Sequence, residues 1–217
     1  MTISKVLNQI DEDLPNSIDR LFELLKIKSI STDHAYKSEC KKAADWLVSD
    51  LRTMGFDANR RDTSGHPMVV GHSKGTGPHV MFYGHYDVQP ADPLELWDSP
   101  PFEPKLEETK KGKVIRARGA ADDKGQLMTF VEACRAWKKI HGKLPVRVSM
   151  FFEGEEESGS PSLVPFMKAN ASELKSDIAL ICDTGLYGEE TPAIVTMLRG
   201  LVKIEVQITG PSRDLHS

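Results

Sequence analysis

The sequence MFYGHYDVQP, residues 81–90, places an apolar run directly before a histidine, an acid and a turn. With the two residues before it, the run HVMFYG is almost wholly apolar, which is typical of a strand covered on both faces in a parallel sheet. His85 and Asp87 stand two residues apart where this strand ends. Because alternate residues face the same side of a strand, their side chains can converge. Taken alone, the pair is also compatible with a surface histidine beside a turn aspartate.

Helix and strand patterns alternate on both sides of this stretch. Helical spacing of apolar residues occurs at 17–30, 39–56 and 125–143, and short apolar runs typical of buried strands occur at 146–152 and 177–182. This order predicts an α/β fold, with a mostly parallel sheet and helices on both of its faces. In such folds, functional sites form beyond the carboxyl ends of the strands.

The pattern changes near residue 200. Residues 201–210, LVKIEVQITG, alternate apolar and polar side chains, which predicts a half-exposed antiparallel strand. We therefore expect a first domain at 1–198 and the start of a second at 199–217. One strand is too little to close a sheet, so a truncated protein is expected.

Composition excludes several classes of function. The chain has 28 basic and 32 acidic residues and a net charge of -4, without the basic stripe that nucleic-acid binding requires. No stretch approaches the roughly 20 apolar residues of a membrane span, and the N-terminus lacks an apolar signal core. The three cysteines have neither CxxC spacing nor an even number. We therefore expect no membrane or nucleic-acid partner and a cytoplasmic location.

Acidic residues lie at the ends of three other predicted elements. Asp122 and Asp123 lie in RGAADDKGQ before a helix, three glutamates lie in EGEEESGS (153–160) after a strand, and Asp183 closes IALICD. Each alone could be a helix cap, a solvated charge run or a turn residue. Imidazole and carboxylate groups gathered from four element ends, however, describe a site for divalent metal ions.

Two ions at such a site would need one bridging acid. A glutamate beside a ligating glutamate could then stay free as the general base that takes a proton from water. The spacing of Glu155, Glu156 and Glu157 does not choose among them.

Five segments together resemble the M20 metallopeptidases, most closely their dipeptidase branch, which includes cytosolic carnosine-type dipeptidases. The segments are GHYDVQP, RGAADDKGQ, EGEEESGS, ICDTG and RGLVKIEVQITGPSRDLHS, in order across residues 84–217. The resemblance implies that 1–198 is the N-terminal part of a catalytic domain and that 199–217 begins a lid and dimerisation domain. It also implies a dinuclear zinc centre, with Mn²⁺ or Co²⁺ possible, dipeptide or short-peptide substrates, and a homodimer when the lid is complete.

The resemblance also implies a role for individual residues, and a cis peptide bond between Asp122 and Asp123. It leaves Glu155 without a role. The implied metal ligands are His85 and Asp183 on one zinc and Glu157 on the other, with Asp122 as the bridge between them. Asp87 is implied to orient His85, and Glu156 to act as the general base. His216 is implied to stabilise the oxyanion across a dimer.

The family pattern further needs a histidine on the second metal and an arginine for the substrate carboxylate, both beyond Ser217. We therefore expect this chain alone to bind at most one zinc well and to be inactive. Two other functions remain open on the sequence. One is an amidase or deacylase of N-acyl amino acids, and the other is a non-catalytic metal-binding or peptide-binding module.

Overall fold

The computed structural model describes residues 3–110, 112–188, 191 and 193–213. The chain divides into two units, 1–183 and 184–217. Among the described helices, none combines the length and the apolar character needed to cross a lipid bilayer. The helices are α1 (Ile3–Leu25), α2 (Lys37–Thr53), α3 (Lys124–His141), α4 (Leu163–Ala169) and α5 (Ala171–Leu174), and the strands are β1 (Asp57–Arg61), β2 (Met68–Ser73), β3 (His79–His85), β4 (Lys105–Thr109), β5 (Gly112–Arg116), β6 (Arg147–Glu153) and β7 (Ile178–Ile181).

The first unit is built on a five-stranded sheet in the order β1-β2-β6-β3-β7. Strand β3 is parallel to both β6 and β7, whereas β2 is antiparallel to both β1 and β6. All strands except β2 therefore run in the same direction, which confirms the predicted mostly parallel α/β sheet. Strands β4 and β5 form a separate antiparallel hairpin, in a region rich in proline and charge.

Both faces of the sheet are covered, as the apolar run in β3 predicts. Phe82 and Phe152 point to one face and pack in a core with residues of α2 and α3, such as Leu47 and Leu127. Alternate residues point to the other face, where Phe151 packs with residues of α4 and α5. Because successive side chains of a strand face opposite sides, a strand covered in this way needs apolar residues at nearly every position.

A buried lysine fixes the loop that leads into α3. Lys124 is fully buried, and its Nζ atom donates hydrogen bonds to the carbonyl oxygens of Leu24 at 3.0 Å and Ile27 at 2.8 Å. Burial lowers the pKa of Lys124 to about 7. These bonds satisfy carbonyl groups at the end of α1, so Lys124 ties the loop containing Asp122 to that helix end.

The described part of the second unit lacks a strand that the sequence predicts. Its described residues form no helix or strand, and an isolated bridge joins Gly188 to Thr191. The strand predicted at 201–210 is therefore not formed. Its apolar side chains, from Val202 to Ile208, are 77–89% exposed. The alternation suits a strand, but a strand is held by hydrogen bonds to a neighbour, and no described segment pairs with this one. The domain boundary before residue 199 stays a prediction.

Candidate metal centre

The candidate site lies where three parallel strands end side by side. His85 is the last residue of β3 and pairs in register with Glu153, the last residue of β6. On the other side of β3, strand β7 ends at Ile181, two residues before Asp183. The loop before α3 brings Asp122 to the same edge. Parallel strands place their carboxyl ends together, which is why residues distant in sequence meet here.

Three of the predicted ligands converge on one point. The Nε2 atom of His85 lies 3.1 Å from Oδ1 of Asp122 and 3.6 Å from Oδ2 of Asp183. One ligand atom from each residue lies within 4.8 Å of the others. The histidine side chain is completely buried, whereas the Asp122 side chain is 60% exposed and that of Asp183 is 34% exposed. The group is therefore anchored on its histidine side and open on its carboxylate side.

This donor set fits a divalent cation. One imidazole and two carboxylates are ligand types that zinc accepts, and three protein ligands are usual at a catalytic zinc. The charges around His85 also favour a bound cation. Burial lowers the pKa of His85, but the hydrogen bond and charge of Asp87, with the charges of Asp123 and Glu156, raise it to about 10. The carboxylates thus create a negative field at the imidazole, which favours a bound cation.

Asp87 links the histidine to the glutamate turn. It is fully buried, and its Oδ1 atom lies 3.3 Å from Nδ1 of His85. The same ring nitrogen lies 3.1 Å from the carbonyl oxygen of Asp87. The two carboxylate oxygens also accept hydrogen bonds from the N–H of Glu156 at 3.3 Å and of Glu157 at 3.1 Å. One side chain therefore orients both the imidazole and the turn.

Glu156 and Glu157 lie beside the three-residue group in a short 3-10 helix, Glu156–Ser158. The Oε2 atom of Glu156 lies 3.9 Å from Nε2 of His85. Desolvation raises the pKa of Glu156 and of Glu157, and neighbouring carboxylates contribute to both shifts. Glu157 is not among the three converging ligands. Instead, its Oε2 atom accepts a hydrogen bond from Nε2 of Gln89 at 2.7 Å.

Two residues of this region had no predicted role of their own. Gln89 donates a hydrogen bond to Glu157. Its position in the motif GHYDVQP, together with His85, is the sequence feature that could have indicated this role. Asp123 is 1% exposed, and its Oδ2 atom accepts a hydrogen bond from the N–H of His85 at 3.0 Å. Burial raises the pKa of Asp123 to about 7, against the opposing hydrogen bond from His85. The peptide bond between Asp122 and Asp123 is cis, as the resemblance implies.

Glu157 lies beside the group, as stated above, and its role as a ligand of a second ion stays a prediction. His216 falls outside the described residues, so its role in stabilising an oxyanion also stays a prediction.

Comparison with known proteins gives a consistent set of relatives. The chain is 34% identical over 232 residues to the Cys-Gly metallodipeptidase dug1 of Schizosaccharomyces pombe, a match covering 100% of this chain and 48% of that protein. It is 28% identical over 233 residues to a Beta-Ala-His dipeptidase of Rattus norvegicus, covering 100% of this chain and 46% of that protein. The chain thus spans about half the length of the curated relatives it matches.

A solved structure and a family model agree with these relatives. The structure of the dipeptidase Dug1p from Saccharomyces cerevisiae matches with a TM-score of 0.73 and 30% identity, over 83% of this chain and 40% of that one. A model of peptidase family M20/M25/M40 matches residues 81–213, which include His85, Asp122 and Asp183. The resemblance stated from the sequence is confirmed, and the chain belongs to the M20/M25/M40 peptidase family.

Proposed function

We propose that this chain carries the metal-binding part of a metal-dependent dipeptidase, which hydrolyses the amide bond of dipeptides or short peptides. One observation carries the proposal: His85, Asp122 and Asp183 come from separate elements and bring ligand atoms within 4.8 Å of one another. The names of the relatives, a Cys-Gly metallodipeptidase and a Beta-Ala-His dipeptidase, support a dipeptide substrate.

His85, Asp122 and Asp183 would hold one zinc ion, and Asp122 with Glu157 would contribute to a second. Bound zinc supplies a Lewis acid that polarises the scissile carbonyl and lowers the pKa of water. The second ion would have two ligands among these residues, fewer than the three usual at a catalytic zinc. We therefore expect this chain to bind at most one zinc tightly and to hydrolyse dipeptides poorly or not at all by itself.

Glu156 is the proposed general base. Its carboxylate is half-buried beside His85, with Oε2 3.9 Å from Nε2 of the ring. Desolvation raises its pKa, which suits a group that must take up a proton and later release it. In the proposed reaction, the Glu156 carboxylate accepts a proton from the attacking water and delivers it to the amine nitrogen as the amide bond breaks. Asp87 holds the N–H of Glu156 and keeps this carboxylate in place.

The experiment is a substrate screen on the complete gene product with zinc added. We expect turnover of dipeptides such as Cys-Gly and β-Ala-His, and loss of that turnover in Glu156→Gln while the zinc content stays the same. N-acyl amino acids as the preferred substrates would make the protein a deacylase instead. Unchanged turnover in Glu156→Gln would remove the proposed base, and stable zinc binding without any hydrolysis would indicate a binding module.

A further inference from the structure

Glu155 has the most enclosed carboxylate of the three consecutive glutamates. The residue is 3% exposed, whereas Glu156 and Glu157 are half-buried. Its Oε1 atom accepts a hydrogen bond from the N–H of His66 at 2.9 Å, and its Oε2 atom accepts one from the N–H of Ser162 at 3.0 Å. The two oxygens thus bind the loop that contains His66 and the residue directly before α4. A buried carboxylate with two backbone donors is an anchor, because each of these bonds is charge-assisted.

The main chain of Glu155 also holds the turn that follows it. Its carbonyl oxygen accepts hydrogen bonds from the N–H of Ser158 at 3.1 Å and of Ser160 at 2.7 Å. The 3-10 helix in this turn is three residues long and has no side-chain cap. So short a helix has little stability of its own, and outside contacts must fix its place. Asp87 supplies two such contacts and Glu155 supplies two more.

The loop opposite Glu155 is shaped to receive the carboxylate. A Cβ atom at Gly65 would lie 1.5 Å from Oε1 of Glu155, so a side chain at that position would have to displace the carboxylate. The same loop is itself held: Oγ1 of Thr63 donates to the carbonyl of His66 at 2.6 Å, and Nε2 of His66 donates to the carbonyl of Ser31 at 3.1 Å. The glycine and these bonds form a rigid receptor for one carboxylate.

We propose that Glu155 is a positioning residue, which fixes Glu156 and Glu157 beside the metal ligands by pinning their turn to the 63–66 loop and to Ser162. The contacts are independent of any reaction. The consequence for catalysis rests on the proposed function, because Glu156 is the base and Glu157 a ligand only there. Loss of the anchor should free the turn while the sheet and the group formed by His85, Asp122 and Asp183 stay intact.

Hydrogen exchange read by mass spectrometry tests the anchor in this chain without metal or substrate. In Glu155→Gln, one side-chain oxygen becomes an NH₂ group that cannot accept a backbone N–H, so one bond is lost. We expect amides in 155–162 and 63–67 to exchange about tenfold faster or more, with unchanged exchange in β3 and β6. Glu12→Gln, an exposed site on α1, is the matched control and should change neither segment.

Gly65→Ala provides a second variant, which leaves Glu155 chemically unchanged but displaces its carboxylate. It should reproduce the same local exchange, and the double variant should add little, because both changes break the same contact. Gly65→Ala carries the test if Glu155→Gln does not fold. Exchange equal to that of the Glu12→Gln control, or a uniform increase over the whole chain, would overturn the proposal.

Kinetics on the complete gene product provide the catalytic readout. Glu155→Gln should lower kcat at least tenfold with little change in KM, since the base is displaced and the substrate contacts remain. An equal loss in Glu12→Gln, or a wild-type kcat in Glu155→Gln, would contradict a positioning role. If the wild-type protein shows no hydrolysis, the proposed function fails, and the exchange data still decide whether Glu155 anchors the turn.

Discussion

The Nδ1 atom of His85 lies 3.3 Å from Oδ1 of Asp87, and both side chains are fully buried. This contact leaves Nε2 of the ring directed at Asp122, 3.1 Å away. A carboxylate behind a ligating histidine fixes the ring orientation and increases the basicity of the other nitrogen. The contact therefore prepares the imidazole to bind a cation.

We predict that Asp87→Asn weakens zinc binding by this chain about 10- to 100-fold, because the amide removes the negative charge behind His85. Its NH₂ group would also face one of the N–H groups of Glu156 and Glu157 that the carboxylate now accepts. Competition with a chromophoric chelator measures the affinity. Asp19→Asn, on the exposed surface of α1, is the control and should bind zinc as the wild type does. Equal affinity in the two variants would contradict the orienting role of Asp87.

A second prediction concerns acid stability. Glu132 on α3 accepts hydrogen bonds from Arg20 on α1 at 2.8 and 2.6 Å, and its side chain is 12% exposed. Burial raises its pKa, but the bonds from Arg20 and the charges of Arg20 and Arg135 outweigh burial, so the pKa is lowered from 4.5. The stabilisation is therefore complete above the ordinary pKa and is lost as the pH falls through the folded-state pKa.

Urea unfolding of the wild type and of Glu132→Gln measures this effect. At about pH 7 we expect the variant to be less stable by roughly 1 to 3 kcal/mol, since a charge-assisted pair is lost. The difference should shrink as the pH is lowered toward about 3, because the wild-type carboxylate is then increasingly protonated. Other carboxyl groups titrate in both proteins, so their effects cancel in the difference between the two free energies of unfolding. A difference that stays constant or grows in acid would show that this ion pair does not stabilise the fold.

A third prediction concerns the close contact behind the glutamate turn. A Cβ atom at Gly154 would lie 2.3 Å from Oη of Tyr86, which is completely buried and donates a hydrogen bond to the carbonyl of Pro67 at 2.5 Å. We expect Gly154→Ala to lower the free energy of unfolding by roughly 1 to 3 kcal/mol, as overpacking of a core does. Gly185→Ala, where a Cβ meets nothing within 4 Å, is the control. Equal stability of both variants in urea would mean that Tyr86 moves aside freely.

Much of the fold could be predicted because its central strands are covered on both faces. Continuous apolar runs at β3 and β6 mark such strands, and polar residues directly after β3, β6 and β7 mark the rim where parallel strands end. Strand β7 has the same apolar pattern but lies at the edge of the sheet, and its Ile178 and Ile181 are 52% and 58% exposed. The three converging ligands, His85, Asp122 and Asp183, were all identified from that pattern and the family resemblance. Local sequence patterns are reliable where burial alone decides the residue type.

The other features depend on contacts that no local pattern encodes. The anchor between Glu155 and His66 joins residues 89 positions apart. The hairpin Lys105–Arg116 is charged and lies beyond a proline-rich stretch, so it reads as a loop, and its pairing becomes evident only in three dimensions. Conversely, residues 201–210 alternate like a strand but find no partner among the described residues. A strand pattern predicts a strand only when a neighbour is present.

The most direct test of the central claim is the zinc content of this chain after loading and dialysis, measured by atomic emission. We predict about one zinc per wild-type chain, consistent with three converging ligands. His85→Ala, Asp122→Asn and Asp183→Asn should each lose that zinc while keeping a folded circular dichroism spectrum. Folded variants that retain one zinc would contradict the assignment of these three residues as the metal site.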